Sequence, residues 1–358
     1  MICCEKCFKD IEIKAIIKSL NLKGTCELCA KRNVYVYNTD TNNELAVMFD
    51  DLLNIYTAND DLPDDYPREK INLLKDELCR RWNIFNIEND LAYRAITGIC
   101  HERYQEHPEI FDAPIGILEL DQKDYLREHA IMKTYEWEDF VEGIKTKNRF
   151  HTDYINKEVF HYFCNYIKKI YKTGTIFYRA RICSDETGFT IDEMGAPPAG
   201  DATGGRANPT GISCLYLADT DITALNEIRA GVYDYVTVGK FVLKEDIKDI
   251  EVVNLTLVDQ VSPFWGIDNT VHAVNKKHLQ KISVEIAKPL RRHDSSLDYL
   301  PTQYISDFIK SRGFAGIEYK STMNKGGYNL AIFDDRLFEC TTVDVYDIRE
   351  LKYKYDKL

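Results

Sequence analysis

Between residues 44 and 171 apolar side chains recur every three or four positions, as in Leu45, Met48, Leu52 and Ile55, and again in Ile71, Leu74, Leu78 and Trp82. One face of a helix repeats at that interval, so the pattern predicts helices over both stretches, with turn material over 59–67 between them. The same spacing predicts helices over 88–104, 135–144 and 154–171, and a short strand near 116–120. After Thr173 the rhythm changes. Short β-type runs at 176–182, 215–218, 236–243, 250–255 and 331–333 are punctuated by Gly and Pro, while helices fit 221–230 and 301–311, the second stopped by Gly313.

The first forty residues follow neither pattern. They hold two Cys-x-x-Cys pairs, Cys4/Cys7 and Cys26/Cys29, in the spacing of a four-cysteine zinc site, and Cys3 beside Cys4 leaves the register of the first pair open. Four thiolates close a tetrahedral shell, so the expected Zn2+ is structural and helps fold a segment too small for its own core. The chain is therefore expected to be multidomain. It divides into a zinc knuckle at 1–40, an α-helical region at 41–173, an α+β domain at 174–345 and a C-terminal tail at 346–358.

Charge narrows the partners. With 58 acidic and 46 basic residues the formal net charge is −12, which argues against a nonspecific nucleic-acid binder. No apolar run reaches the roughly 20 residues that span a bilayer, and the N-terminus lacks the apolar stretch of a secretory signal, so a cytoplasmic location is expected. Eleven cysteines in that setting point to thiols and metal ligands before disulfides.

The α+β region carries the chemistry. Phe177-Tyr178-Arg179-Ala180-Arg181, Gly204-Gly205-Arg206-Ala207-Asn208-Pro209, Leu215-Tyr216-Leu217 and Asn226-Glu227-Ile228-Arg229 scatter polar residues through a Gly/Pro-rich frame, as a ligand site does. Guanidinium groups at Arg179, Arg181 and Arg206 suit phosphates. Glycine at 205 lets backbone approach a ligand, and Asn208-Pro209 turns the chain. Tyr216 offers an aromatic face, Glu227 a carboxylate that can stabilise a sugar cation, and Ser321 and Asn329 neutral hydrogen bonds. Arg179 and Arg181 are expected on opposite sides of the pleat, so that only one faces a pocket. Singly, an Arg on a strand is most often an ion-pair partner, Tyr216 a core aromatic and Glu227 the partner of a neighbouring cation.

Taken together, these blocks resemble the RES family, named for its Arg, Glu and Ser. Arg179, Arg206, Tyr216, Glu227 and Ser321 match the family's residues in order, and Gly316-Ile317-Glu318-Tyr319-Lys320-Ser321 and Gly326-Gly327-Tyr328-Asn329-Leu330 also look familial. The resemblance implies a fold similar to ADP-ribosyltransferases and a toxin that depletes NAD by hydrolysis or phosphorolysis, or transfers ADP-ribose to a protein. It implies catalytic roles for Arg179, Tyr216, Glu227 and Ser321, with Arg179, Arg206 and Tyr216 contacting NAD, and the residue types at Arg181, Gly205, Asn208 and Asn329 add these four as expected NAD contacts. An antitoxin or other inhibitory partner goes with many members, and phage defence is one setting for them. Commoner members are shorter and have Trp where this chain has Ala207. The chain looks closer to a longer branch whose N-terminal extension is likened to HEPN helical domains.

Three rivals stand beside this reading. A HEPN-type ribonuclease would use Arg94 and His101, an Arg and a His separated by six residues, with His as general acid or base. A non-enzymatic module would sense NAD or ADP-ribose. A thiol hydrolase would need a His at a suggestive spacing from Cys183 or Cys214, and there is none. The oligomeric state, a homo-oligomer included, is open.

Overall fold

The computed structural model describes residues 1–290 and 295–352, so the last six residues of the expected tail lie outside the described residues. Its contacts divide the chain into two compact units: Met1–Thr134 with Asp259–His278, and Tyr135–Val258 with Leu279–Leu358.

In the first unit, β1 (Ile2–Cys4), β2 (Lys23–Gly24) and β3 (Val34–Asn38) form an antiparallel sheet in the order β1-β3-β2. Helix Ile11–Ser19 follows β1, its start fixed by Asp10, whose carboxylate accepts the Glu12 and Ile13 N–H groups at 3.0 and 3.1 Å. Helix Glu44–Leu53 buries Leu45, Phe49, Leu52 and Leu53, and helix Asn89–Ile99 buries Ala92, Ala95, Ile96 and Ile99, the stripes that the periodicity predicts. A second small sheet joins β4 (Thr57–Ala58), β5 (Asn72–Leu73) and β6 (Pro114–Gly116) in the order β4-β6-β5. The expected strand near 116–120 thus ends at Gly116, and Leu118–Leu120 is a 3-10 turn. The expected helix over 71–82 begins as strand and is wound wider, i to i+5, at Glu77–Arg81. The expected helix over 88–104 breaks at Cys100, where ψ swings to 46°.

Residues 259–278 count with this unit although the sequence pattern assigns them to the α+β region. Long-range polar contacts hold them there. Trp265 Nε1 donates to Glu12 Oε1 at 2.8 Å, and Asn275 accepts the Ile131 N–H at 2.6 Å while donating to the His129 carbonyl at 2.7 Å.

The second unit is built on eight strands: β7 (Lys168–Tyr171), β8 (Ile176–Cys183), β9 (Leu215–Ala218), β10 (Tyr235–Leu243), β11 (Ile250–Asn254), β12 (Gly316–Lys320), β13 (Tyr328–Ile332) and β14 (Phe338–Asp347). Their order is β14-β10-β8-β9-β13-β12-β11-β7, antiparallel except for the parallel pair β11–β12. The C-terminal end of the expected helix over 154–171 is in fact β7, the sheet edge, so the large sheet begins before the boundary expected at 173. Gly316 is required where β12 meets β13, because a Cβ there would run into the Ala331 carbonyl. Phe177, Leu215, Leu217, Leu330 and Ile332 fill the core on one face; Ala180, Ala218, Val236 and Val238 pack with Ala224 of helix Asp221–Glu227 on the other. That helix stops earlier than expected, since Arg229 adopts a left-handed φ of 52°. Among the described residues no helix is long and apolar enough to cross a membrane.

Candidate functional site

The site opens where the large sheet parts. β8 pairs with β10 along its whole length but meets β9 at one position, Tyr178 opposite Ala218. Beyond that pair, residues from both faces of each strand, Tyr178, Arg179 and Ala180 on β8 and Tyr216, Leu217 and Ala218 on β9, line a cleft of about 280 Å3. Gly205, Arg206, Ala224, Glu227, Ile228, Tyr299, Tyr319 and Asn329 complete its walls.

Glu227 ends helix Asp221–Glu227, which Thr220 caps by accepting the Thr223 N–H at 3.1 Å. Ser321 Oγ donates to Glu227 Oε1 at 2.7 Å, and Asn329 Nδ2 donates to the same oxygen at 2.7 Å. The Ser321 oxygen in turn accepts the N–H groups of Met323 and Asn324 at 3.2 and 3.0 Å. Its single proton is thereby directed at the carboxylate. Both donors converge on Oε1, which leaves Oε2 as the acceptor for whatever enters the cleft. Asn324 Nδ2 ties the same loop to the helix a second time, donating to Thr223 Oγ1 at 2.8 Å.

Two guanidinium groups, those of Arg179 and Arg206, share the lining with this carboxylate. Arg179 Nη1 is buried with no hydrogen-bond partner, and burial, aided by repulsion from Arg181, brings the pKa of Arg179 down to about 10. A desolvated, unpartnered cation of this kind is stabilised by an anion. Arg206 donates to the Ala287 carbonyl at 3.0 Å and stands 5.3 Å from the Tyr319 ring centre. Burial opposes its charge, but the Tyr319 phenol and the Glu227 carboxylate outweigh that and hold its pKa above the ordinary value.

The family model for the RES domain matches residues 176–356, which is 181 of the 358 residues and includes every element of this cleft. The chain belongs to the RES family. Among solved structures, the crystal structure of the M. tuberculosis MbcT-MbcA toxin-antitoxin complex is similar at 13% identity and a TM-score of 0.31, covering 51% of this chain and 89% of that one. No curated protein matches the chain.

Within the RES domain the loop 204–209 is held from behind. Tyr216 Oη donates to Asn208 Oδ1 at 2.7 Å and accepts the Ala207 N–H at 3.0 Å. Gln303 Nε2 donates to the carbonyls of Gly205 and Asn208 at 2.8 and 3.1 Å. Glycine is needed at 205 because a Cβ would lie 2.5 Å from Tyr216 Oη and 2.8 Å from Asn208 Oδ1. Burial raises the Tyr216 pKa well above its ordinary value, so the phenol stays protonated in this role.

The sequence-derived contact residues do not all reach the cleft. Arg179, Gly205, Arg206, Tyr216, Glu227 and Asn329 line it, and Ser321 reaches it through Glu227. Asn208 does not: it is buried, with its amide donating to the carbonyls of Thr203, Pro209 and Ile212. Arg181 does not either. A spacing of two keeps side chains on one face of a strand, so the expected separation of Arg179 and Arg181 across the pleat is wrong in its reason. What turns Arg181 aside is the Phe189 ring, 4.0 Å from its guanidinium carbon, and the Glu193 carbonyl to which it donates. The sequence reading missed Tyr299 and Tyr319 as lining residues. Alternation along β12 carried the signal for Tyr319, since Glu318 is its oppositely directed neighbour, bonded to Lys169 at 3.0 Å and to Tyr171.

In the first unit the Sγ atoms of Cys4, Cys7, Cys26 and Cys29 all lie within 4.8 Å of one another. Cys4 is 3.7 Å from Cys7 and 3.6 Å from Cys29, and Cys7 is 3.6 Å from Cys26. Zinc–sulfur bonds of about 2.3 Å at tetrahedral angles separate sulfurs by roughly 3.8 Å, so the four atoms fit such an ion. Cys4, not Cys3, belongs to the cluster, which fixes the register. Arg94 and His101 are both exposed, on helices separated by the break at Cys100, and His101 Nε2 is 3.0 Å from Gln105 Nε2.

Proposed function

We propose that this RES protein consumes NAD by cleaving the bond between nicotinamide and ribose. The observation that carries the reading is the carboxylate of Glu227, clamped by Ser321 and Asn329, in one cleft with Arg179, whose buried Nη1 has no hydrogen-bond partner. Glu227 Oε2 accepts a hydrogen bond from a ribose hydroxyl and stabilises the positive charge that grows on the ribose as the bond lengthens. The electron pair of the breaking C–N bond passes to the nicotinamide ring, which is cationic in NAD and leaves neutral, so no acid is needed at that step. A water or phosphate oxygen then bonds to the ribose carbon and loses its proton. Arg179 and Arg206 hold the phosphates, and the ring of Tyr216 packs against the nicotinamide while its hydroxyl stays with the loop.

Family resemblance extends the reading to a toxin held in check by an antitoxin, in an ADP-ribosyltransferase-like fold. The four thiolates of Cys4, Cys7, Cys26 and Cys29 hold Zn2+ as a structural ion in the first unit. A transferase would use the same cleft with a protein side chain as acceptor. Incubating the full chain with NAD and separating the products tests the reading: free nicotinamide supports cleavage, and ADP-ribose or its 1″-phosphate identifies water or phosphate as acceptor. Intact NAD after prolonged incubation would count against it.

A further inference from the structure

The cleft around Glu227, at about 280 Å3, falls just below the roughly 300–1,000 Å3 found for small-molecule pockets. It suits one half of a dinucleotide. A second cleft, of about 510 Å3, lies in the same unit, and Tyr299 lines both. One wall of the second cleft comes from Trp137, Glu142 and Lys145, which precede the residues that match the RES family. The other comes from Lys281 and Lys288, on and just after helix Asn269–Ala287.

The charges in this cleft are unequally engaged. Lys281 is held by Glu138 at 3.2 Å and Glu285 at 3.3 Å, and Lys145 by Asp298. Lys288 has its carboxylate, Glu285, at 4.0 Å, with 63% of its side chain exposed. Among the described residues of this cleft it is the lysine with charge to offer a phosphate. Its neighbour Ala287 is the residue whose carbonyl accepts from Arg206, so the two cations border the junction of the clefts. Half-buried Tyr299 supplies aromatic surface on which a purine packs, backed by the buried Trp137, and Glu142, exposed and 3.3 Å from Lys147, an acceptor for ribose hydroxyls.

We propose that the second cleft binds the adenosine-phosphate half of the dinucleotide, with the pyrophosphate, held by Arg179 and Arg206 on the side of the first cleft, passing Tyr299 to reach Lys288. This rests on the NAD reading above and adds to it that the segment before the RES domain helps to build the substrate site. The test is calorimetric binding of two half-ligands, ADP and nicotinamide mononucleotide, to the full chain and to Lys288→Glu. The expected result is at least a tenfold loss of ADP affinity in the variant, with nicotinamide mononucleotide affinity within twofold of the parent. Equal ADP affinity in the two proteins, or equal losses for both ligands, would overturn the proposal while leaving the NAD reading intact. Failure of both half-ligands and of NAD to bind the parent protein would overturn the two together.

Discussion

Ser321 and Glu227 lie 94 positions apart in the chain and are joined by a hydrogen bond of 2.7 Å. The serine brings little reactivity of its own, because its oxygen is occupied by two backbone N–H groups and its proton is spent on the carboxylate. Its work, shared with Asn329, is to fix the direction in which Glu227 presents its other oxygen. A hydrogen bond to a charged group contributes about 1.5–3 kcal/mol. Ser321→Ala and Asn329→Ala are each expected to lower kcat about tenfold or more with KM little changed, and the double variant to lose less than the product of the two, because both donors serve one oxygen. Steady-state nicotinamide release by the three variants checks this.

Arg179 keeps its charge at neutral pH because an arginine starts from 12.5 and burial takes it only to about 10. Lysine starts from about 10.5, so the same burial carries its pKa down toward the neutral range. For a buried cation the lowered pKa means that the charge is present below that pH and lost as pH rises through it. NAD binding by Arg179→Lys is therefore expected to weaken between pH 7 and 9 while the parent protein holds its affinity across that window. Titration calorimetry at three pH values measures the difference.

Tyr216 acts on the loop through its hydroxyl, which bridges Asn208 Oδ1 and the Ala207 N–H. Tyr216→Phe keeps the ring and strands two buried polar groups, at a cost of about 1–3 kcal/mol. The expected outcome is a lower melting temperature and a raised KM for NAD, since Gly205 and Arg206 lose their support from one side. Thermal unfolding and kinetics on the same preparation test both halves.

The four-cysteine cluster is expected to carry one zinc per chain. Cys26→Ser, or a strong chelator, should release it and destabilise the first unit, whose β1 and β3 pair next to the cluster. Elemental analysis of the purified chain, with circular dichroism before and after chelation, reads the outcome.

The sequence showed the local features well. The stripes of helices Glu44–Leu53 and Asn89–Ile99 are legible because burial repeats at the helical interval, and the convergence of the two Cys-x-x-Cys pairs because a spacing of three in a tight turn brings two thiols together. Residues 259–278 were not legible, because what assigns them to the first unit is contacts such as Trp265 to Glu12, 253 positions away. β7 is not legible because its burial alternates while its residue types do not: Lys169 and Tyr171 are the less exposed positions and the apolar Ile170 is exposed. In the site, residue types were found where chemistry singles them out, as at Glu227 and Arg179. Asn208 and Arg181 were misplaced for a common reason: a polar side chain in a Gly-rich or strand context serves a neighbouring carbonyl as readily as a ligand, and only three-dimensional partners such as the Ile212 and Glu193 carbonyls distinguish the two.

The central claim is that the Glu227 carboxylate drives nicotinamide departure. Glu227→Gln keeps the shape and an oxygen that Ser321 and Asn329 can still reach, while it removes the negative charge. With folding verified by circular dichroism and NAD binding by calorimetry, the account predicts that nicotinamide release falls at least about 100-fold and that NAD affinity is retained. Release by the variant at the parent rate would contradict it.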